Sequence, residues 1–205
     1  MIDRAAQAWL TPALQRLAKG LARAGVGADA VTGAGFAIGL GAALAIGLGA
    51  PTWGLALIVA SRLADGVDGA LARLTRPTDR GAFLDITLDF LFYASIPLAF
   101  AAADPARNAL PAAALLASFI GTGSSFLVYA LMAERQGVRE TRGLTKGLVY
   151  LGGLTEAGET LLCFALMCLW PSAFPVLAWG FAALCGVTTV SRVWAGWRQF
   201  GGGGR

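Results

Sequence analysis

The sequence predicts an all-α integral membrane protein with six transmembrane helices, preceded by an amphipathic helix at the membrane surface. Hydrophobic residues make up 57% of the 205-residue chain and charged residues only 14%, whereas a soluble domain carries about 25% charged residues. Long uncharged segments alternate with short segments that contain arginine or proline. The length suits one domain, so we expect a single membrane domain over residues 1–205.

Residues 3–24 have the pattern of a helix that lies on a membrane surface. Leucines recur at the spacing i, i+4, i+7 and i+11, as Leu10, Leu14, Leu17 and Leu21. Basic residues form the polar side, as Arg4, Arg16, Lys19 and Arg23. An apolar stripe opposite a basic face is typical of interfacial helices on anionic membranes. A cleaved signal peptide is not predicted, because the apolar residues are periodic rather than continuous.

Six apolar segments follow, and each is a predicted span. No charge occurs from Ala30 to Ser61, a stretch too long for one span of about 20 residues, and Pro51 divides it. The predicted spans are residues 32–49, 52–74, 82–103, 109–133, 148–169 and 174–196.

The basic residues predict the orientation of these spans. Lysines and arginines cluster before span one, between spans two and three, and between spans four and five, whereas the opposite side carries only Arg107. Cytoplasmic loops are enriched in Lys and Arg. We therefore expect both termini and both basic loops in the cytoplasm, in a membrane of the bacterial inner-membrane type.

Four aspartates lie at helical spacing on two neighbouring spans. Asp65 and Asp68 are three residues apart near the cytoplasmic end of span two, and Asp85 and Asp89 are four apart near the cytoplasmic end of span three. Residues at these spacings share a helix face. An ionisable residue within a membrane helix costs roughly 2.5–3.5 kcal/mol on insertion scales, so compensating charge is expected.

Hard divalent cations are the natural partners of such a cluster. Carboxylate oxygens suit Mg²⁺ or Mn²⁺, and two such ions would neutralise four aspartates. Two ions can clamp the attacking and leaving oxygens of a phosphoryl transfer. The competing explanation, helix caps or ion pairs with neighbouring arginines, suits one aspartate better than four. The arginines concerned are Arg62, Arg73, Arg76 and Arg80.

The stretch that contains these aspartates has the sequence DGVDGALARLTRPTDRGAFLDITLD. It resembles the signature of the CDP-alcohol phosphotransferases, D-x2-D-G-x2-A-R-x8-G-x3-D-x3-D. Every fixed residue type is matched, by the four aspartates together with Gly69, Ala72, Arg73 and Gly81. The resemblance extends to six spans and the N-terminal surface helix.

Two features depart from the family pattern. Arg73 and Gly81 enclose seven residues rather than eight, which shortens the loop between spans two and three. Many members have Asn-x-x-Thr at the start of span one, and here Asp29 replaces the asparagine while Thr32 is retained. The shorter loop leaves the spacing within each aspartate pair unchanged.

The resemblance implies a reaction and roles for these residues. An alcohol attacks the β-phosphorus of a CDP-linked lipid such as CDP-diacylglycerol, forming a phosphodiester and releasing CMP. Asp65, Asp68 and Asp85 would bind Mg²⁺ or Mn²⁺, expected as two ions, and Asp89 would contact metal and act as general base. The residues implied to frame the CDP are Gly69, Ala72, Arg73, Gly81 and Thr32. The family also implies a homodimer surrounded by membrane lipids, and no nucleic-acid partner is expected.

The acceptor alcohol is not specified by the motif. Glycerol phosphate, serine, inositol or its phosphate, choline and ethanolamine are all chemically possible. Candidate acceptor-binding residues lie near the cytoplasmic ends of the later spans: Arg139, Arg142, Lys146, Glu156, Glu159 and Arg192. The four cations favour an anionic acceptor, with glycerol 3-phosphate preferred. The two glutamates would favour an amine or sugar hydroxyls unless Arg192 neutralises them.

Two other classes compete with this interpretation. An intramembrane prenyltransferase also holds a diphosphate with aspartates and magnesium, but it would give Arg73 and Gly81 no role and would release diphosphate rather than CMP. An ion transporter would use the acidic cluster as a coupling site, and a liposome flux assay would detect such transport. Transporters often show inverted repeats and broken midplane helices, and the sequence shows neither.

Overall fold

The computed structural model describes residues 2–135 and 154–201, with side chains described from residue 11 onward. These ranges contain seven α-helices, a 3₁₀ turn at Pro171–Ala173 and no strand. The helices are α1 (Ile2–Arg23), α2 (Ala28–Gly47), α3 (Pro51–Leu74), α4 (Asp79–Ala103), α5 (Pro105–Arg135), α6 (Ala157–Leu169) and α7 (Phe174–Phe200). The predicted all-α class is confirmed over the described part of the chain.

Four segments of the described chain are long and apolar enough to cross a membrane: α2, α4, α5 and Pro171–Phe200. The protein is therefore an integral membrane protein. Helix α3 has 24 residues but carries several charges, and α6 has only 13, fewer than the about 20 of a full span. The count of six spans stays a prediction.

The predicted fifth span is wrong at its start. Residues 154–156 are not helical, and α6 begins at Ala157; residues 148–153 lie outside the described ranges. The helix starts here because Glu156 and Glu159 form a capping box, in which each side chain accepts a hydrogen bond from the other residue's backbone N–H. Such a box satisfies donors that the first turn of a helix leaves without partners.

Local signals in the sequence explain the starts of the helices that carry the aspartates. Helix α3 begins with Pro51, whose fixed φ suits the first helical position. Gly49 precedes it with φ of 81°, a left-handed conformation that glycine adopts without steric cost. Helix α4 is capped by Thr78, whose hydroxyl accepts from the Gly81 N–H at 3.0 Å, as is typical of N-cap threonine.

Helix α2 lies in the groove between α3 and α4, and α5 packs against α4 and α7. The close approach of α2 to α4 depends on Gly39, where an added Cβ would lie 2.6 Å from a ring carbon of Phe92. Phe92 is fully buried and belongs to the main core, which also includes Ile96, Phe164 and Phe174. This packing brings the N-terminal halves of α2 and α4 and the C-terminal half of α3 together.

Helix α1 packs on the outside of α3. Ala18 is fully buried there, with Leu14 and Leu21 beside it, against a small cluster that includes Leu71. Leu17, from the same predicted leucine stripe, is 59% exposed. The predicted stripe is therefore divided between a protein-facing side and an outward side, and the membrane-surface location of α1 stays a prediction.

Candidate active site

The two aspartate pairs meet where α3 and α4, which both pack against α2, face each other. Asp65, Asp68 and Asp85 each offer a carboxylate oxygen, and these oxygens lie within 4.8 Å of one another. Asp68 and Asp85 are only 5% and 8% exposed, whereas Asp65 is half-buried. The sequence spacing had placed Asp65 with Asp68 on one face of α3, and Asp85 with Asp89 on one face of α4. The packing of both helices against α2 turns these two faces toward the same cavity.

A cavity surrounds these carboxylates and is lined by three helices. Its empty volume, which includes space open to solvent, is about 230 Å³. Asp89 lies on its wall one helical turn beyond Asp85. The lining residues are Thr32, Gly35 and Phe36 from α2, Ser61, Arg62, Asp65 and Asp68 from α3, and Asp85, Leu88 and Asp89 from α4.

Arg62 enters the cluster from α3. Its Nη1 atom donates to Oδ1 of Asp89 at 2.6 Å and lies 3.8 Å from Oδ1 of Asp65. The ion pairs that the sequence left as a competing explanation therefore exist, within the described residues, for Asp89 and Asp65. Asp65 still converges with Asp68 and Asp85, so Arg62 accounts for only part of the cluster's charge.

The Arg62 guanidinium is held from two further directions. It lies 4.0 Å from the centroid of the Phe92 ring, within the range of a cation–π interaction. Its Nη2 atom donates to the hydroxyl of Ser61 at 3.2 Å, and that hydroxyl donates to the Gly35 carbonyl at 2.8 Å. Helices α2, α3 and α4 together therefore fix the position of this cation.

The residues that the motif implies for CDP lie near the N-terminal ends of α2 and α4 and the C-terminal end of α3. Thr32 lines the cavity, and its hydroxyl donates to the Ala28 carbonyl at 3.0 Å. Arg73 is exposed, and its guanidinium folds over Gly69, where an added Cβ would lie 3.4 Å from Nη1. Ala72 and Gly81 are half-buried.

The two departures from the family pattern meet in space. Arg80, at the end of the shortened loop, donates from Nε to Oδ2 of Asp29 at 2.8 Å, and its Nη2 approaches the same oxygen at 2.6 Å. The other Asp29 oxygen lies beside Gly81, where an added Cβ would come within 3.1 Å. The charge at residue 29 is therefore matched by an arginine that the shorter loop brings to the start of α2.

A family model described as CDP-alcohol phosphatidyltransferase matches residues 27–195, which is most of the chain. The chain belongs to this family. It is 47% identical over 197 residues to the inner membrane protein YnjF of Escherichia coli strain K12, covering 96% of each protein.

Two solved structures of Mycobacterium tuberculosis phosphatidylinositol phosphate synthase, PgsA1, are also similar. The structure with CDP-DAG bound has a TM-score of 0.73 and 26% identity, with 90% of this chain and 93% of that chain covered. The structure with manganese and citrate has the same score and identity and covers 90% and 88%. Together with the family match, these similarities establish the protein as a phosphotransferase enzyme that moves a phosphatidyl group from a CDP-lipid to an alcohol.

The aspartate cluster is suited to a divalent metal, and the similar PgsA1 structure was solved with manganese. Three carboxylates supply oxygen donors that converge from two helices, which is the donor type that Mg²⁺ and Mn²⁺ prefer. Two of the three are buried, and a bound cation would offset the cost of burying their charge.

The predicted acceptor residues are less closely grouped. Arg139, Arg142 and Lys146 lie outside the described residues. Glu156 and Glu159 cap α6 instead of lying two to three turns inside a span, as the sequence had suggested. Arg192 is buried and donates from Nη1 to the Thr122 carbonyl of α5 at 3.1 Å. None of these three described residues lines the aspartate cavity.

Arg62 and Ser61 belong to the site, although the motif assigned them no role there. Arg62 is the only charged residue between residues 30 and 64, and it precedes Asp65 by three positions, so the two share a helix face. That spacing was the available signal. The sequence contained no comparable signal for Ser61, because the hydrogen bond between Ser61 and the Gly35 carbonyl depends on how closely α2 approaches α3.

Proposed function

We propose that this enzyme transfers the phosphatidyl group of CDP-diacylglycerol to a phosphorylated polyol and releases CMP, at the cytoplasmic face of a bacterial-type inner membrane. The observation that carries the proposal is the convergence of Asp65, Asp68 and Asp85, with Asp89 on the same cavity wall. PgsA1 with CDP-DAG bound supports the donor, and the inner membrane protein YnjF supports the location.

The aspartates have separate roles in this proposal. Asp65, Asp68 and Asp85 would hold a divalent cation, Mg²⁺ or Mn²⁺, and Asp89 would contact a second ion. Bound there, the metal would supply positive charge to offset that of the diphosphate oxygens. The structure of PgsA1 with manganese supports a divalent metal in this fold.

Asp89 is the proposed general base. It lies on the cavity wall, and Arg62 donates to its Oδ1 atom. We assign proton acceptance to Oδ2, which must come within about 3 Å of the acceptor hydroxyl. The chain contains no histidine, so a carboxylate base is consistent with its composition.

The CDP moiety is proposed to bind at the cytoplasmic ends of α2, α3 and α4. Gly69, Ala72 and Gly81 leave room for close approach, Thr32 lines the inner wall, and the exposed Arg73 meets phosphate charge. Their location on α2, α3 and α4, the three helices that line the aspartate cavity, supports this assignment.

Glycerol 3-phosphate is the proposed acceptor, on two grounds. The sequence between α5 and α6 contains the cations Arg139, Arg142 and Lys146, and α7 contains Arg192. Glu156 and Glu159 accept backbone hydrogen bonds at the start of α6, which reduces their capacity to hold an amine. The similarity to a phosphatidylinositol phosphate synthase supports a phosphorylated acceptor more generally.

The orientation and oligomeric state belong to the same proposal. All six predicted spans place the basic loops in the cytoplasm, so a cysteine at Arg76 should be labelled only from the inside. A homodimer is proposed from the family resemblance. Mass measurement in detergent would test it, and a monomer under all conditions would contradict it.

Measurement of CMP release tests the reaction and the acceptor together. Purified protein in detergent is freed of metal by chelation, then supplied with CDP-diacylglycerol, Mg²⁺ or Mn²⁺, and one alcohol at a time. We expect CMP only with metal and acceptor present, and the fastest release with glycerol 3-phosphate. Full activity after exhaustive chelation would contradict the metal centre, and a preference for serine or inositol would replace the acceptor.

A further inference from the structure

Arg62 is a fixed cation inside the carboxylate cluster, at a position for which the family motif specifies no residue. Its Nη1 atom is 2.6 Å from Oδ1 of Asp89 and 3.8 Å from Oδ1 of Asp65. Its side chain is only 15% exposed. The strength of charge–charge contacts rises as solvent is excluded, so this arginine has a large influence on which carboxylates accept another cation.

The surroundings of Arg62 keep it in place. The Phe92 ring supports the guanidinium from one side at 4.0 Å, and Ser61 accepts from Nη2 at 3.2 Å. Ser61 is itself fully buried and tied to the Gly35 carbonyl. A side chain held by an ion pair, a ring and a buried hydroxyl has lost most of its rotamer freedom, so its presence at Asp89 is built into the fold.

The contacts divide the four aspartates into two groups. Asp65, Asp68 and Asp85 bring their oxygens within 4.8 Å of one another. Asp89 is engaged by Arg62 through its Oδ1 atom. A cation bound by the first group leaves the Arg62–Asp89 pair intact. A second cation that uses Oδ1 of Asp89 must compete with Nη1 of Arg62.

We propose that Arg62 is a built-in counter-cation that withholds Asp89 from metal until CDP-lipid binds, so that the two divalent ions load in sequence. This inference rests on the proposed two-ion centre. One divalent ion and Arg62 together offset three of the four aspartate charges. The diphosphate of the CDP-lipid adds negative charge, and only then does a second ion become strongly favoured. Without Arg62, one more negative charge remains and attracts the second ion directly.

Binding of Mn²⁺ to the purified full-length protein tests the sequence of loading. Bound metal is counted by equilibrium dialysis, and paired ions are detected by the magnetic coupling of two Mn²⁺ in electron paramagnetic resonance. Without lipid, the wild-type protein should bind one ion tightly and show no coupling. Arg62→Met should bind a second ion on the order of tenfold more tightly than the wild type, equivalent to about 1.4 kcal/mol. CDP-diacylglycerol should restore the second ion to the wild type.

Two variants control for charge and for folding. Arg76→Met removes one positive charge from the exposed loop after α3 and should leave the ion count unchanged. Arg62→Lys keeps the charge and should resemble the wild type. If Arg62→Met does not fold, Ser61→Ala and Phe92→Leu weaken the two supports of the guanidinium and should strengthen second-ion binding in the same direction, by a smaller factor.

Two results would overturn the inference, and they differ in what else they affect. Equal affinity for the second ion in the wild type and Arg62→Met, with coupled Mn²⁺ in both before lipid is added, would remove the role of Arg62 and leave the two-ion centre standing. Failure of every variant to bind any ion, with or without CDP-diacylglycerol, would contradict the proposed metal centre itself.

Discussion

The ionisable residues of the α2–α4 region and those of the α5–α7 region are used differently. Between α2 and α4, carboxylates and Arg62 face a common cavity and contact one another. Between α5 and α7, the charged side chains contact the backbone: Glu156 and Glu159 cap α6, and Arg192 donates to the Thr122 carbonyl. Contacts among side chains leave a cluster that a ligand can join, whereas contacts to the backbone fasten helices.

This difference concerns the acceptor in particular. In the described α5–α7 region, Glu156 and Glu159 begin a helix and Arg192 joins two helices. The remaining candidate acceptor cations, Arg139, Arg142 and Lys146, belong to residues 136–153, outside the described ranges. The α2–α4 region, in contrast, contains a full set of proposed metal and nucleotide residues. Changes in the α2–α4 region should therefore act on turnover, and changes in the α5–α7 region should act on stability.

The largest expected effects come from the aspartates, and they separate the two proposed roles. Asp68→Asn should lose both metal binding and turnover, because Asp68 is a buried member of the three-carboxylate group. Asp89→Asn should keep CDP-lipid binding while turnover falls, by a factor on the order of 10²–10⁴ for loss of a general base. Nucleotide affinity and CMP release measure the two effects. Asp79→Asn, at the exposed start of α4, is the matched control, and near-normal turnover in Asp89→Asn would place the base elsewhere.

A second substitution perturbs the α2–α4 region through packing alone. Gly39→Ala would put a Cβ 2.6 Å from the Phe92 ring and 3.1 Å from the Ser61 hydroxyl, the two groups that support Arg62. Overpacking of this kind costs about 1–3 kcal/mol, and turnover should fall with the displaced ring. Thermal unfolding and CMP release measure both. Gly33→Ala has open space around it and should leave both unchanged; equal behaviour of the two variants would show that the Phe92 position is adaptable.

The next substitution tests whether the α5–α7 charges are structural. Glu156→Ala removes one half of the capping box and should lower the free energy of unfolding by about 0.5–2 kcal/mol. Glu156→Gln keeps an accepting oxygen, so both stability and the acceptor KM should stay near the wild type. Glu134→Ala, at the exposed end of α5, is the control. Loss of acceptor use in Glu156→Gln would instead point to an amino alcohol or an unphosphorylated polyol.

The smallest expected effect concerns the ion pair between Asp29 and Arg80. Asp29 is itself a departure from the family pattern, and Arg80 lies at the end of the shortened loop. Asp29→Asn and Arg80→Gln each break a contact that is largely exposed on the Arg80 side, and exposed pairs contribute about 0.2–1 kcal/mol. A double-mutant cycle with unfolding as the readout should give a coupling energy in that range. Additive effects would mean that residue 29 and the shortened loop vary independently.

The sequence by itself determined the all-α class and which aspartates share a helix face. Apolar length fixes a membrane helix, and spacings of three and four residues fix which side chains share a face, so Asp65 with Asp68 and Asp85 with Asp89 could be paired without coordinates. The cap at Glu156 was missed because an apolar run predicts a span but does not say where its first turn begins. A Thr-Glu-x-x-Glu pattern was present at residues 155–159.

Only the tertiary structure decided which charges contact one another. Arg62 reaches Asp89 across 27 positions, and Arg80 reaches Asp29 across 51. Whether such a pair forms depends on how closely two helices approach and on small residues such as Gly39, which allows α2 to pack against Phe92. Helical periodicity is local, so it orients each face but carries no information about its opposite partner. For this protein, the aspartates follow from the local pattern, and the arginine that competes for one of them follows from the packing of α2, α3 and α4.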